Sequence, residues 1–158
     1  MFDEKDFLNE VDALLTGYWL TDLANFSACV FHHMPHLNWA GFYLSDGQKL
    51  RLGPFVGKPA CTEIAFERGV CGAAFRQREV LLVKDVHEFP GHISCDPISR
   101  SELVIPFEVE GQLIGVLDLD SPLTGRFQPV EAEILKKGLS LLGRRNPNLQ
   151  TFPNIQAF

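Results

Sequence analysis

Residues 102–120 constrain the fold of this chain more than any other stretch. Two apolar runs, 102–109 and 113–120, flank Glu110, Gly111 and Gln112. Runs of this kind around a glycine-bearing loop pair as an antiparallel hairpin. With a three-residue loop over 110–112, Val109 faces Leu113, Phe107 faces Gly115, Ile105 faces Leu117 and Leu103 faces Leu119. One face of the hairpin is then wholly apolar. The other sets Glu102 against Asp120 and Val104 against Asp118. A two-residue turn shifts the pairing by one and mixes the faces, because side chains alternate with period two. The pattern therefore selects the odd loop.

The chemical consequence is a convergence of Glu102, Asp118 and Asp120 on one patch of sheet. Like charges facing one another repel. Either one carboxyl keeps its proton to a raised pKa, or a cation or hydrogen-bonding partner joins the group. A carboxyl group that is neutral near pH 7 can act as a general acid. An exposed polar sheet face would share the pattern. Trp39, Gly41 and Tyr43 alternate onto one face of another strand. Set beside the acidic face, they form an aromatic wall.

The remaining elements follow from periodicity and turn residues. Phe7, Leu8, Val11, Leu14 and Leu15 define a helical face over 3–15, ended by Gly17. A second helix is predicted over 19–33 and stopped by Pro35. Strands are predicted over 37–44 and 49–52 around the hairpin signal Asp46-Gly47. Residues 53–60, with two Gly and two Pro, read as loop. A short strand over 62–66, a helix over 69–77 and a strand over 80–83 follow. Residues 84–100 form a long polar connection, of a length that is usually functional or disordered. The last helix covers 128–142, and the tail from Arg144 reads as loose or docked as an extended arm. Hairpins with helices at the sequence ends read as α+β, with helices on one face of an antiparallel sheet. At 158 residues the chain is one domain, taken as 1–145 with a tail over 146–158.

Fourteen Lys and Arg against 20 Asp and Glu leave a net charge of −6, with no footprint for nucleic acid or an anionic membrane. The acidic start has no apolar stretch after it, so a secretory signal is not expected. The longest span without Asp, Glu, Lys or Arg, Leu23 to Ser45, holds three His and a Pro and is no bilayer-crossing helix. The expected setting is the cytoplasm. Structural disulfides are rare there, which leaves packing, metal binding or redox chemistry for the four Cys.

Cys29, inside an apolar helix, reads as a small buried hydrophobe. Cys61 and Cys95 lie in loops, and Cys71 lies at a helix start, where free N–H groups lower a thiol pKa. Their separations do not fit zinc-finger or ribbon spacings, and no metal or cofactor is expected. A Cys-His hydrolase with His87 or His92 as base and a redox dithiol both remain open. No catalytic role is assigned to the histidines; His32, His33 and His36 suit the negative end of a helix dipole.

The runs Asn38-Trp-Ala-Gly-Phe-Tyr43, Leu52-Gly-Pro-Phe-Val-Gly-Lys-Pro-Ala-Cys61, Arg68-Gly-Val-Cys-Gly72, Asp85-Val-His-Glu-Phe-Pro-Gly-His-Ile-Ser-Cys-Asp96, Ser101-Glu-Leu-Val-Ile-Pro106 and Gly115-Val-Leu-Asp-Leu-Asp-Ser-Pro122 are distinctive. In this order they resemble the free methionine-(R)-sulfoxide reductase family of GAF-type domains. The resemblance spans about residues 5–143. It implies a six-stranded antiparallel sheet with helices mainly on one side and a ligand cavity on the other. It sets Cys95 at the catalytic cysteine and Cys61 and Cys71 at the positions that can supply a disulfide partner. It sets Glu102, Asp118 and Asp120 around the substrate, and Trp39 and Tyr43 at the pocket for the methyl group on sulfur.

The implied reaction is thiol-dependent reduction of the free amino acid's R-sulfoxide through a sulfenic acid on Cys95. Glu102 or Asp120 then supplies the proton. Cys61 is favoured over Cys71 as the resolving thiol, and Cys71 as attacking thiol is the variant reading. Thioredoxin is the expected reductant and a homodimer the expected assembly, with the apolar first helix as its contact. A non-catalytic GAF-type sensor module is the rival reading.

Overall fold

A computed structural model describes residues 2–149. The order of elements is α1 (Glu4–Leu14), α2 (Trp19–His33), β1 (Trp39–Ser45), β2 (Lys49–Gly57), β3 (Glu63–Ala65), α3 (Gly69–Gln77), β4 (Leu81–Val83), β5 (Ser101–Val109), β6 (Gln112–Ser121) and α4 (Pro129–Arg145). One 3-10 turn, Val86–Glu88, lies in the long connection. The strands form one six-stranded sheet in the order β3-β2-β1-β6-β5-β4. Every described pairing is antiparallel. The two edge strands have three residues each, which leaves little free edge for pairing with another chain.

The two faces of the sheet differ. Phe42, Leu103, Ile105, Phe107, Leu117 and Leu119 pack with Phe7, Phe26, Val30 and Leu135 in a large apolar cluster under α1, α2 and α4. The opposite face carries Trp39, Tyr43, Val104 and Val116, which pack with Val70 and Cys71 of α3 in a smaller cluster. The buried side of α1, Phe7 and Val11, faces this chain's own core. That face is used within the chain, so a contact of α1 with a second copy would use its other side.

Local signals fix the ends of the helices. Asp3 caps α1 by accepting from the Asp6 N–H at 2.8 Å. Pro129 opens α4 at a position whose N–H would be unpaired in any case. The Asp22 carboxylate accepts from Thr16 N, Thr16 Oγ1, Gly17 N and Asn146 Nδ2 at 2.7–2.9 Å. It thereby ties the α1–α2 turn to the end of α4. Of the expected tail, Arg144 and Arg145 close α4, and Asn146 and Leu149 are buried. The expectation for residues 150–158 lies outside the described residues.

The hairpin register holds where it matters, but the turn differs. Glu102 faces Asp120, Leu103 faces Leu119, Val104 faces Asp118, Ile105 faces Leu117 and Phe107 faces Gly115. Val109, however, faces Gln112 rather than Leu113. Glu110 and Gly111, both at positive φ (52° and 75°), make a two-residue turn. A register shift after Phe107 absorbs the odd residue. A tight turn plus a bulge thus produces the same pairing as a three-residue loop.

The reading of 53–60 as loop is also corrected. Strand β2 continues to Gly57, with a register shift between the Gly41–Phe55 and Tyr43–Leu52 pairs. Its Gly and Pro residues serve an irregular strand. Gly115 marks a close approach of β6 to β1, since a Cβ there would lie 2.1 Å from the Tyr43 carbonyl oxygen. Gly115→Ala is expected to lower stability by about 2 kcal/mol through forced separation of these strands. Urea unfolding followed by circular dichroism measures the loss.

Candidate active site

The small-cluster face of the sheet lies beneath a cavity framed by β1, β5, β6, α3 and two loops. Trp39, Tyr43, Cys71, Cys95, Glu102, Asp118 and Asp120 all line it. Cys61 closes it from above through a disulfide to Cys95, with a Cα–Cα distance of 5.6 Å. The residues that the resemblance set at the active site therefore come together here, seven of them in the cavity wall and Cys61 joined to it through Cys95. The free space is about 40 Å³, room for roughly three water molecules.

The aromatic wall also holds the loop that bears Cys61. Trp39 stacks on Tyr43 and on Phe55, at 5.8 and 5.2 Å between ring centroids. The Trp39 Nε1–H donates to the Lys58 carbonyl at 3.2 Å, and the Tyr43 hydroxyl donates to the Cys61 carbonyl at 2.9 Å. Asn38 secures the other loop, donating from Nδ2 to Asp96 Oδ2 at 3.2 Å and to Ser99 Oγ at 2.9 Å. One strand, β1, with the residue before it, thus positions both halves of the disulfide.

Beneath the disulfide lie the carboxyl groups. Glu102 and Asp118 are each 6% exposed. An oxygen of each lies within 4.8 Å of the other, close enough that two charges would repel and a retained proton is favoured. Burial, reinforced by Asp120, raises the Glu102 pKa from its ordinary 4.5 to about 8. Burial and the Glu102 charge push Asp118 well above its ordinary value, and burial with Asp118 and Asp96 does the same for Asp120. Asp118 Oδ1 is buried with no hydrogen-bond partner among the described residues. Such an oxygen favours a donor group supplied by a ligand.

Cys71 departs from its expected behaviour. It is a buried free thiol at 3.9 Å from Glu102 Oε1. Burial, with Asp118 and Glu102 close by, raises its pKa instead of lowering it. The helix start acts on this thiol, but desolvation and two acidic neighbours outweigh it. Cys71, Glu102 and Asp118 offer three ligand atoms within 4.8 Å of one another. Burial raises the pKa of each, so metal binding would have to displace protons there. Cys29 is a buried thiol away from the site, in the large cluster.

From the sequence, His92 drew no role beyond the hydrolase alternative, and Phe55, Lys58 and Asn38 drew none. His92 Nε2 lies 3.6 Å from Glu102 Oε2. Its signal was its place three residues before Cys95 in the same motif. His87, by contrast, pairs with Asp85 at 2.9 Å and is not among the cavity residues. The hydrolase reading with His87 as base loses its geometry.

This arrangement is that of a GAF domain, and a GAF domain family model matches residues 20–144. The Escherichia coli (strain K12) protein named Free methionine-R-sulfoxide reductase is 46% identical over 134 residues, 84% of this chain and 81% of that protein. The Saccharomyces cerevisiae protein of the same name is 40% identical, over 80% of this chain and 74% of its own length. The X-ray structure of free methionine-R-sulfoxide reductase from Neisseria meningitidis in complex with its substrate is 37% identical. It superposes with a TM-score of 0.85 over 90% of this chain and 87% of that one. The chain belongs to the GAF-domain family, in the group formed by the free methionine-R-sulfoxide reductases. Among the described residues no helix is long and apolar enough to cross a membrane.

The raised pKa of Glu102 links stability to pH. Between the unfolded value near 4.5 and the folded value near 8, the folded protein holds a proton that the unfolded chain has lost. The stability of the disulfide form should therefore decline as pH rises from about 5 to 8. Glu102→Gln should flatten this slope, as read from urea unfolding midpoints at several pH values. An unchanged slope in the variant would contradict the assignment.

Proposed function

We propose that this chain reduces the R-sulfoxide of free L-methionine to methionine, taking electrons from its own thiols. The observation that carries the reading is the Cys61–Cys95 disulfide set at a cavity lined by the buried carboxyl groups of Glu102 and Asp118 and by Asp120. A sulfur nucleophile, its resolving partner and an acid are the three groups that the reaction needs. A purely sensory domain has no use for the first two.

The reduced enzyme starts with both thiols free. The Cys95 thiolate attacks the sulfoxide sulfur. The sulfoxide oxygen takes the proton of Glu102 as it leaves substrate sulfur and joins Cys95 as the hydroxyl of a sulfenic acid. Methionine departs with its sulfur reduced and Cys95 oxidised by two electrons. The Cys61 thiol then attacks the sulfenic sulfur, releasing water and forming the disulfide. An external dithiol reduces that bond by exchange, and thioredoxin suits the step by its potential. Glu102 is favoured over Asp120 as donor because its pKa of about 8 keeps it protonated near neutrality while still able to release.

Recognition follows from the walls. The substrate ammonium group approaches Asp118 and Asp120, favours their ionised forms and relieves the cluster of its repulsion. Methionine within a polypeptide has no such ammonium group and is rejected. Trp39 and Tyr43 receive the methyl group on sulfur, which selects one epimer. The cavity of about 40 Å³ is far below the roughly 300–1,000 Å³ of ligand clefts, so the Cys95 loop opens once the disulfide is reduced. Cys71 stays a thiol throughout and serves as a hydrogen-bonding neighbour of Glu102. The reading includes a cytoplasmic setting, where the disulfide is transient, and a homodimer.

Methionine release from free methionine-(R)-sulfoxide tests the chemistry. Cys95→Ser is expected to abolish turnover with dithiothreitol or thioredoxin. Cys61→Ser is expected to keep turnover with dithiothreitol, which can reduce a sulfenic acid directly, and to lose most of it with thioredoxin. Activity of Cys95→Ser with dithiothreitol would overturn the assignment. Glu102→Gln should slow methionine formation by roughly 100-fold or more, the usual contribution of a general acid.

A further inference from the structure

We propose that His92 is the positioning residue through which Glu102 regains its proton between turnovers. The inference rests on the reading of Glu102 as proton donor and adds the route by which that donor is recharged. In the proposed cycle the carboxyl group spends one proton on the departing oxygen. It sits under a closed disulfide and is 6% exposed, so water does not reach it freely. A proton must cross from solvent before the next sulfoxide can react.

The two oxygens of Glu102 face different surroundings. Oε1 points to Cys71 Sγ at 3.9 Å. Oε2 points to His92 Nε2 at 3.6 Å. The groups that surround this carboxyl are Asp118 and Asp120 from β6, Cys71 from α3, Tyr43 from β1, and His92 and Asp96 from the Cys95 loop; Lys58 lines the same cavity. Asp118, Asp120, Cys71 and Tyr43 all have pKa values raised by burial and release protons reluctantly. His92 is the exception. Burial lowers its pKa, so it passes on any proton that it picks up. Its side chain is 15% exposed against 7% for that of Glu102, so it stands between the carboxyl and water.

The separation of 3.6 Å is slightly beyond hydrogen-bond length, and a loop movement of roughly 0.5 Å closes it. The backbone N–H of His92 donates to the Phe89 carbonyl at 3.2 Å, which holds the His92 backbone in the loop that carries Cys95. Loop opening for substrate therefore carries His92 along. The relay is made in the closed, oxidised form, which is the stage at which Glu102 needs its proton. No bond to carbon or sulfur is involved: imidazolium gives a proton to carboxylate, and the neutral imidazole takes another from water.

Two experiments on His92→Ala and His92→Gln separate this role from a structural one. In the first, reduced enzyme is mixed with free methionine-(R)-sulfoxide and no reductant, and methionine from the first turnover is followed. The proton is already on Glu102, so the expected rate is within about twofold of the native enzyme. This first turnover also reports that the variant is folded. In the second, steady-state turnover is measured across pH with saturating dithiothreitol. A fall of roughly tenfold or more is expected at the alkaline end, with recovery of His92→Ala but not of the native enzyme's already full rate on adding imidazole.

Steady-state turnover equal to native at every pH would overturn the proposal. So would a loss that is uniform in pH and indifferent to imidazole, or a slow first turnover. Glu102→Gln serves as the control for the underlying reading. If its first turnover is as fast as native, Glu102 is not the donor, and that reading fails first. If its first turnover is slow while both His92 variants behave as native throughout, the donor stands and the relay falls.

Discussion

Pairing of β5 with β6 puts three carboxyl groups on a sheet face that the rest of the chain then covers. Ionised carboxylates at such a place would be costly twice over, through lost hydration and mutual repulsion. The molecule meets both costs by keeping protons. Burial and the closeness of Glu102 to Asp118 both raise the pKa values. A fold that hid an apolar face here would be more stable, but it would have no acid beneath its disulfide.

The remaining features serve that patch. The opposite face of the same two strands supplies Leu103, Ile105, Phe107, Leu117 and Leu119 to the large core, so the register cannot slip without exposing it. Strand β1 runs beside β6 and turns Trp39 and Tyr43 toward the carboxyl groups. Their polar atoms hold the Cys61 loop, while Asn38 holds the Cys95 loop. Redox chemistry and acid chemistry are thereby joined through one edge-to-edge strand pair. The disulfide spans 34 residues of sequence but is set by loops that both dock on β1.

Much of this was legible from particular residues. The alternation of Glu102, Asp118 and Asp120 with Leu and Ile announced both the pairing and the acidic face. Asp46-Gly47 announced the β1–β2 hairpin. The turn after Val109 was not legible, because Glu110 carries no mark of the positive φ that it adopts. Residues 53–57 were misread because Gly53 and Pro54 look like loop residues, whereas here they accommodate a strand irregularity. The Cys71 pKa went the other way from its local signal. A helix start is visible in sequence; the burial and two carboxyl neighbours that override it are tertiary. Spacing alone could not choose between Cys61 and Cys71 as partner of Cys95, and His92 drew no assignment since its neighbour Glu102 is ten residues away.

The central claim is that a neutral carboxyl group waits under the sulfur chemistry at physiological pH. Infrared difference spectroscopy reads it directly, comparing the native protein with Glu102→Gln through a pH titration. The account predicts a protonated-carboxyl C=O band at neutral pH that is absent from the variant and disappears with a midpoint of about 8. A native protein whose Glu102 band is already that of the carboxylate at pH values near 5 would contradict it.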